Sequence, residues 1–207
     1  MREIWFAALV AATFAAASAA AQPAQPTGNP AFAVSAQDRV LGKPDAPITI
    51  IEYASMSCPH CANFHSQVLP KLKEKWIETG KAKLVMRDFP LDEPALRAAM
   101  VARCVPPERF YPLVEMMFET QEKWVIAPDW RAALERIVKL GGIGKKEFDS
   151  CVGDKALEDK VAQSRLDAAQ LLGVNSTPYF FIDGKAFQGE PTLDAFDQLL
   201  SQMAEKS

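Results

Sequence analysis

The chain has 207 residues, and 49% of them are hydrophobic, which is enough for a substantial core in one domain or in one domain that carries an insert. The formal net charge of −3 is mild, and it gives no electrostatic reason to expect a nucleic acid or an anionic membrane surface as the partner. The function must therefore be sought in particular motifs.

The amino-terminal segment has the pattern of an export signal. Arg2 supplies positive charge, an apolar run covers 4–17, and an A-x-A cleavage site ends at Ala21. An uncleaved anchor is the alternative, but the run is short and rich in alanine, whereas a membrane span needs about 20 strongly apolar residues. We predict a signal peptide over 1–21 that is cleaved near Ala21, a periplasmic location, and a flexible, proline-containing leader over 22–40.

The next elements predict a βαβ unit. The stretch ITIIEYA at 48–54 is almost continuously apolar, which is typical of a strand buried on both faces. A helix follows, with apolar residues at three- and four-residue intervals over 64–76, and a second strand covers 83–89. This order favours two parallel strands joined by a right-handed helical crossover.

The rest of the chain predicts a helical insert and a closing hairpin. Candidate helices cover 93–104, 107–123, 129–140, 145–151 and 154–172. Asp183-Gly184 is a hairpin signal between strands at 179–182 and 186–188, and Thr192 can cap a last helix. The predicted fold class is α/β, with a first part over 41–90, an all-helical insert over 91–173 and a second part over 174–207.

Two cysteines lie two residues apart where the first strand meets the following helix. A cysteine in the first turn of a helix faces unpaired backbone N–H groups and the positive end of the helix dipole, and both favour the thiolate. We therefore expect Cys58 to be the exposed nucleophile and Cys61, one turn further and facing the sheet, to be the resolving cysteine. Pro59 suits the opening turn because no hydrogen-bond donor is needed there.

Two further residues near this pair have open interpretations. An imidazolium at His60 would favour the Cys58 thiolate and make the disulfide more oxidising, but an exposed loop histidine without a role is the alternative. Glu52 is the lone acid in the first strand, and burying it would be costly. It is either a proton relay that helps to deprotonate Cys61 or an acid at a strand end that reaches solvent. We expect His65 to lie on the helix surface.

Two alternatives belong to other classes of function. One is a chaperone whose CxxC motif is incidental. The other is a zinc-binding module, although a structural zinc site normally takes four ligands, often from two separated segments. Its ligands would be drawn from Cys58, His60, Cys61 and His65, with Cys104 and Cys151 as the second pair.

The motif and the segments around it resemble a known family. EYASMSCPHC, a strand ending in RDFPL, a helical insert and NSTPYFFIDG are similar to the DsbA-like thiol:disulfide oxidoreductases of the thioredoxin superfamily over about 44–202. The resemblance implies a thioredoxin fold with an inserted all-helical domain. It also implies a cis bond between Thr177 and Pro178 that exposes Thr177 backbone groups to an extended substrate peptide. In this family a basic residue often pairs with the buried acid, and the candidates here are Lys81, Lys83 and Arg87.

The two remaining cysteines lie inside the predicted insert. Disulfides are the default in an oxidising compartment, so we predict a structural disulfide between Cys104 and Cys151 that stabilises the fold by about 4 kcal/mol. Two free buried thiols and a second, regulatory redox pair are the alternatives. Some members of the family have a second disulfide in this insert and others lack it.

The predicted function is that of an exported oxidase. It donates the Cys58–Cys61 disulfide to unfolded or reduced exported proteins through a mixed disulfide at Cys58. The resemblance implies that a membrane quinone-linked partner reoxidises it. We predict no cofactor, no metal and, without a dimerisation domain before the motif, a monomer. An isomerase or a reductase of the same fold is the alternative, but a Pro-His dipeptide favours the oxidase.

Overall fold

The computed structural model describes residues 29–205. The predicted signal peptide, its cleavage site and the first part of the predicted leader lie outside the described residues. Among residues 29–205, no helix combines the length and the apolarity that crossing a membrane requires.

A mixed sheet forms the centre of the described chain. Its strands are β1 (Arg39–Leu41), β2 (Ile48–Ala54), β3 (Ala82–Asp88), β4 (Tyr179–Ile182) and β5 (Lys185–Ala186). They lie in the order β1-β3-β2-β4-β5, and β2 pairs in parallel with β3 and antiparallel with β4. The predicted parallel pair and the predicted hairpin are thus confirmed. The strand β1, which pairs antiparallel with β3, was not predicted.

The crossover from β2 to β3 is a helical stretch with two widened segments. It consists of α1 (Pro59–Asn63), a π-helical segment (Phe64–Val68), α2 (Leu69–Leu72) and a second π-helical segment (Lys73–Ile77). Pro70 has no N–H to donate within the helical ladder, which accounts for a local departure from α geometry. The predicted apolar face is buried against the sheet, with Phe64 1% exposed and Leu72 fully buried.

Six helices of the described chain form the insert. They are α3 (Glu93–Cys104), α4 (Pro107–Glu119), α5 (Gln121–Trp124), α6 (Trp130–Leu140), α7 (Lys145–Gly153) and α8 (Lys155–Leu172). Three of them have an aspartate N-cap whose side chain accepts a hydrogen bond from the backbone N–H three residues further along the chain. These caps are Asp92, Asp129 and Asp154. Helix α9 (Leu193–Ala204) closes the chain, and Thr192 caps it as predicted.

Alternation along β2 divides the core into two layers. Ile50 and Ala54 belong to a large apolar cluster with the insert and α9, whereas Ile51 and Tyr53 belong to a smaller cluster with Ala168 of α8. Adjacent residues of a strand face opposite sides of the sheet, so β2 is covered on both faces. Burial on both faces therefore explains why ITIIEYA is almost continuously apolar.

The flexible leader predicted as far as residue 40 is wrong from Pro30 onward. Arg87 of β3 donates hydrogen bonds to the carbonyl oxygens of Ala31 and Ala33 and forms a salt bridge of 3.0 Å with Asp38. The ring of Phe32 packs on Phe181, with 4.8 Å between ring centroids. A largely buried guanidinium needs acceptors, and this segment supplies them.

Candidate active site

The CxxC pair lies at the junction that the sequence predicts, and the two cysteines are not bonded to each other. Cys58 is the N-cap of α1, and Pro59 is its first residue. The expectation that Cys58 is exposed is wrong, since the residue is only 5% exposed, while Pro59 and His60 beside it are exposed. Cys61 is fully buried against the sheet, as predicted.

The loop before β4 covers Cys58. The peptide bond between Thr177 and Pro178 is cis, and the Sγ of Cys58 donates to the carbonyl oxygen of Thr177 at 3.2 Å. The Thr177 hydroxyl is buried and has no hydrogen-bond partner among the described residues. The Thr177 carbonyl oxygen therefore lies against the sulfur that is predicted to react.

The surroundings of Cys58 favour its ionised form. Its pKa is lowered to about 5, chiefly because the Cys61 thiol donates a hydrogen bond to the sulfur. Burial opposes this shift, whereas the Thr177 side chain and the backbone N–H groups of Cys61 and His60 add to it. The predicted contribution of the helix start is thus present, but the neighbouring thiol contributes most, and His60 acts through its backbone.

The surroundings of Cys61 have the opposite effect. Burial raises the pKa of Cys61 well above its usual value, and the charges of Cys58 and Glu52 raise it further. The pKa values of these two cysteines, which are separated by only two residues, are therefore shifted in opposite directions. Cys58 is stable as a thiolate, whereas Cys61 is stable only as a thiol.

We expect Cys61→Ala to raise the pKa of Cys58 above its value of about 5, because the substitution removes the hydrogen bond that lowers it most. Cys61→Ser is the matched control, since a hydroxyl can still donate to the sulfur and should preserve more of the shift. Titration of the ultraviolet thiolate absorbance measures both variants. Equal pKa values in the two variants would contradict the assigned cause.

The reduced protein should gain stability as the pH rises. The pKa of Cys58 in the folded protein, about 5, lies below the ordinary thiol pKa of 9.0, which applies to the unfolded chain. The stabilisation by the thiolate is therefore complete above pH 9 and is lost as the pH falls through 5. We expect the free energy of unfolding, relative to Cys58→Ser, to rise by about 1.4 kcal/mol per pH unit between pH 5 and 8. Urea unfolding of both proteins under the same reductant measures this difference. A difference that does not change with pH would contradict it.

Glu52 has a partner that the sequence analysis missed. It is fully buried at the centre of β2, so the alternative of an acid reaching solvent at a strand end is wrong. The Nε2 of His65 lies 3.2 and 3.0 Å from its two carboxylate oxygens. The expectation of a surface His65 is therefore wrong as well, because this histidine is 4% exposed.

The basic candidates for pairing with Glu52 are all occupied elsewhere. Lys81 lies over the ring of Trp76, and Lys83 donates to the carbonyl oxygens of Pro44 and Ala46. Arg87 binds the amino-terminal segment, as described above. The signal for the true partner was present in the spacing, since His65 follows Cys61 by four residues and so shares its buried helix face.

A glutamine of the insert also contacts the CxxC junction. Gln121 is 6% exposed, and its Nε2 donates to the carbonyl oxygens of Met56 at 2.9 Å and Cys58 at 3.0 Å. These bonds fix the backbone on both sides of Ser57. No pattern in the sequence pointed to this residue.

The second cysteine pair lies away from this site. Cys104 at the end of α3 and Cys151 in α7 are joined by a disulfide with 5.9 Å between their Cα atoms. This bond and the contact of His65 with Glu52 occupy three of the ligands that the zinc alternative would need. The geometry therefore favours a redox interpretation of the CxxC motif.

Comparisons with known proteins agree with this geometry. A family model described as Thioredoxin matches residues 35–202. A relative in Rickettsia bellii, named "Putative protein-disulfide oxidoreductase", is 35% identical over 157 residues, which cover 74% of this chain and 60% of the relative. The chain thus spans less than two thirds of the length of that relative.

A solved structure is similar over almost its whole length. The crystal structure of alpha-DsbA1 from Wolbachia pipientis has a TM-score of 0.79 and 34% sequence identity, and the match covers 84% of this chain and 94% of that one. The structure of BdbD from Bacillus subtilis has a TM-score of 0.73 at 22% identity, which shows a shared fold.

Proposed function

We propose a function from the premise that this chain belongs to the thioredoxin family and, within it, to the DsbA-like proteins: it is an exported thiol:disulfide oxidoreductase that forms disulfides in other proteins. The observation that carries this proposal is the difference in pKa between the thiols of Cys58 and Cys61. A disulfide whose reduced form contains a stable thiolate is readily reduced and is therefore oxidising. The pKa of about 5 at Cys58 supports this direction of electron flow.

The reaction proceeds in two exchanges. A substrate thiolate attacks the Sγ of Cys58 in the Cys58–Cys61 disulfide, a mixed disulfide forms, and Cys61 leaves with the electron pair and takes up a proton. A second substrate thiolate then attacks the substrate sulfur of the mixed disulfide. The substrate leaves with its own disulfide, Cys58 leaves as a thiolate, and two electrons have passed to the protein.

Each remaining site residue has a proposed part in these steps. The backbone of Thr177 at the cis bond to Pro178 binds the extended substrate peptide by strand addition beside Cys58. Pro59 and the exposed His60 form the surface next to the reacting sulfur, and the backbone N–H of His60 helps to favour the thiolate. Glu52 exchanges the proton of Cys61, because its charge acts on that buried thiol.

The cellular setting follows from the predicted signal peptide. The protein acts as a monomer in the periplasm on reduced or unfolded exported proteins. A membrane quinone-linked partner returns it to the oxidised state. None of these steps needs a cofactor, since the two cysteines carry both electrons.

The decisive experiment is the equilibrium of the CPHC pair with a glutathione buffer of known ratio. An oxidase should remain mostly reduced in a mixture that would oxidise an ordinary reductant of the thioredoxin type. An intermediate equilibrium constant would instead assign the protein to the isomerases. A pair that stays oxidised would assign it to the reductases and contradict the proposal.

A further inference from the structure

Cys61 gains a proton in the oxidation of a substrate and loses one when the protein is reoxidised, yet it is fully buried. Its neighbour Glu52 is also fully buried, so this carboxyl group has no direct access to solvent. Burial at both positions leaves the proton without a path unless another group connects them to water. Such a group must contact Glu52 on one side and reach the surface on the other.

We propose that His65 connects Glu52 to a surface cleft on the other side of its ring, and so carries the proton that Cys61 gains and loses. This inference rests on the proposed function only in that it assumes thiol–disulfide exchange at Cys61. His65 acts on Cys61 through Glu52, so it is a positioning residue of the proton path. It does not contact the reacting sulfur atoms.

The two ring nitrogens of His65 have different surroundings. Nε2 lies against both carboxylate oxygens of Glu52, at 3.2 and 3.0 Å. Nδ1 is buried and has no hydrogen-bond partner among the described protein atoms. Buried polar atoms are nearly always partnered by protein or by water, so a protein-unpartnered nitrogen on a residue 4% exposed marks a place for a water.

A cleft that can supply this water adjoins the ring. Its volume is about 320 Å³, and His65 forms part of its wall. The other polar groups on the wall are Ser66, Lys73 and Glu78 from the same helical stretch and Glu115 and Glu119 from α4. Ser66, Glu78 and Glu119 are exposed, so the cleft opens at the surface. Its carboxylates can exchange protons with bulk water.

The ring of His65 is held in one plane by its neighbours. Phe118 of α4 lies 4.4 Å from it between ring centroids, with 35° between the planes, and Phe64 lies 5.6 Å away edge-on. These contacts keep Nε2 on Glu52. The free nitrogen therefore faces away from the carboxylate, which is the arrangement that proton passage through an imidazole requires.

The transfer balances in both directions. When Cys61 leaves as a thiolate, Nε2 of His65 gives its proton to the Glu52 carboxylate, Glu52 passes a proton to Cys61, and Nδ1 takes one from water in the cleft. When Cys58 attacks a disulfide of the reoxidising partner, Cys61 must attack in turn, and its proton leaves by the same groups in reverse. No electron passes through Glu52 or His65.

The test compares substitutions at His65 in a single turnover. Oxidised protein is mixed with a reduced peptide that has two cysteines, and the rate of mixed-disulfide formation is followed. His65→Gln can still donate to Glu52 but cannot carry a proton. We expect a loss of rate of at least about 10-fold, which is less than the roughly 10²- to 10⁴-fold that a direct general acid or base contributes, because His65 acts through Glu52. The glutathione equilibrium should change less than about 3-fold, because equilibrium is independent of the proton path. Gln67→Ala is the matched control and should retain the wild-type rate, because Gln67 is an exposed residue of the same helical stretch that does not line the cleft.

Two readouts separate a proton path from a packing role. In His65→Ala, added imidazole should restore the rate in proportion to its concentration, whereas wild type should not respond. In the Glu52→Gln background, His65→Gln should cause no further loss, because the path is already broken at Glu52. If His65→Ala does not fold, the His65→Gln and Glu52→Gln cycle decides alone.

The inference fails if His65→Gln reacts at the wild-type rate, if imidazole restores nothing in a folded His65→Ala, or if the two losses in the cycle simply multiply. These failures differ from failure of the proposed function. A wild-type pair that remains oxidised in glutathione would overturn the oxidase assignment, but the rates at Cys61 could still be measured in the reducing direction. The comparison of His65 variants would then decide the proton path independently.

Discussion

Replacing Cys58 with serine should reduce disulfide transfer to the rate measured without protein. The reason is that Cys58 carries both the sulfur that a substrate attacks and the stabilised thiolate that later leaves, and a hydroxyl can do neither. The measurement is the appearance of disulfide in a reduced peptide with two cysteines, with the variant first treated with oxidant in the same way as wild type. The variant should unfold at about the same temperature as the reduced wild type at pH 5, where the thiolate contributes little stability.

Cys61→Ser is the control that separates attack by the Cys58 thiolate from resolution of the mixed disulfide by Cys61. It also cannot donate a disulfide, but its Cys58 thiolate should attack a peptide disulfide and remain bound in a mixed disulfide. This adduct should accumulate and be visible by mass or by gel without reductant. Retained disulfide transfer in Cys58→Ser, or the absence of an adduct in Cys61→Ser, would contradict the assignment of Cys58 as the reacting cysteine.

Removing the second disulfide should lower the free energy of unfolding by about 4 kcal/mol. The sequence separation of Cys104 and Cys151 is 47 residues, and closing a loop of that length in the unfolded chain costs about this much entropy in the chain-entropy model. The variant with both cysteines replaced by alanine should therefore unfold at a clearly lower urea concentration than wild type, with both proteins oxidised at the CxxC pair.

The same two proteins provide the control for this prediction. After full reduction both lack the bond, so the difference in stability between them should nearly vanish. If the difference is small before reduction, the disulfide is not structural. If transfer activity changes while stability does not, the regulatory alternative is the better interpretation.

The main elements of the fold could be predicted because local patterns agree with the tertiary structure. The strand ITIIEYA is apolar because both its faces are covered. In the insert, α3, α6 and α8 begin at aspartate caps, and α6 and α8 end at a glycine. Asp183-Gly184 marks the hairpin because both residues adopt positive φ, at 46° and 77°. In each case a residue type is required by backbone geometry or burial, and that requirement is visible in the sequence.

The contacts that could not be predicted depend on distant parts of the chain. The strand β1 has only three half-buried residues, so it has no apolar pattern, and its existence depends on pairing with β3. Gln121 resembles any surface glutamine until the insert packs over the active-site loop. Polar side chains on a helix are usually exposed, but His65 is buried because its spacing from Cys61 places it on the buried face.

The contact between Gln121 and the loop at Cys58 links the two halves of the molecule. A tilt of the insert away from the sheet would strip two buried carbonyl oxygens of their donor, which is costly unless water or a bound chain replaces it. Movement of α5 should therefore be coupled to a change in the conformation of the loop that carries Cys58. Amide hydrogen exchange in α5 and in the loop at Cys58 should therefore rise and fall together.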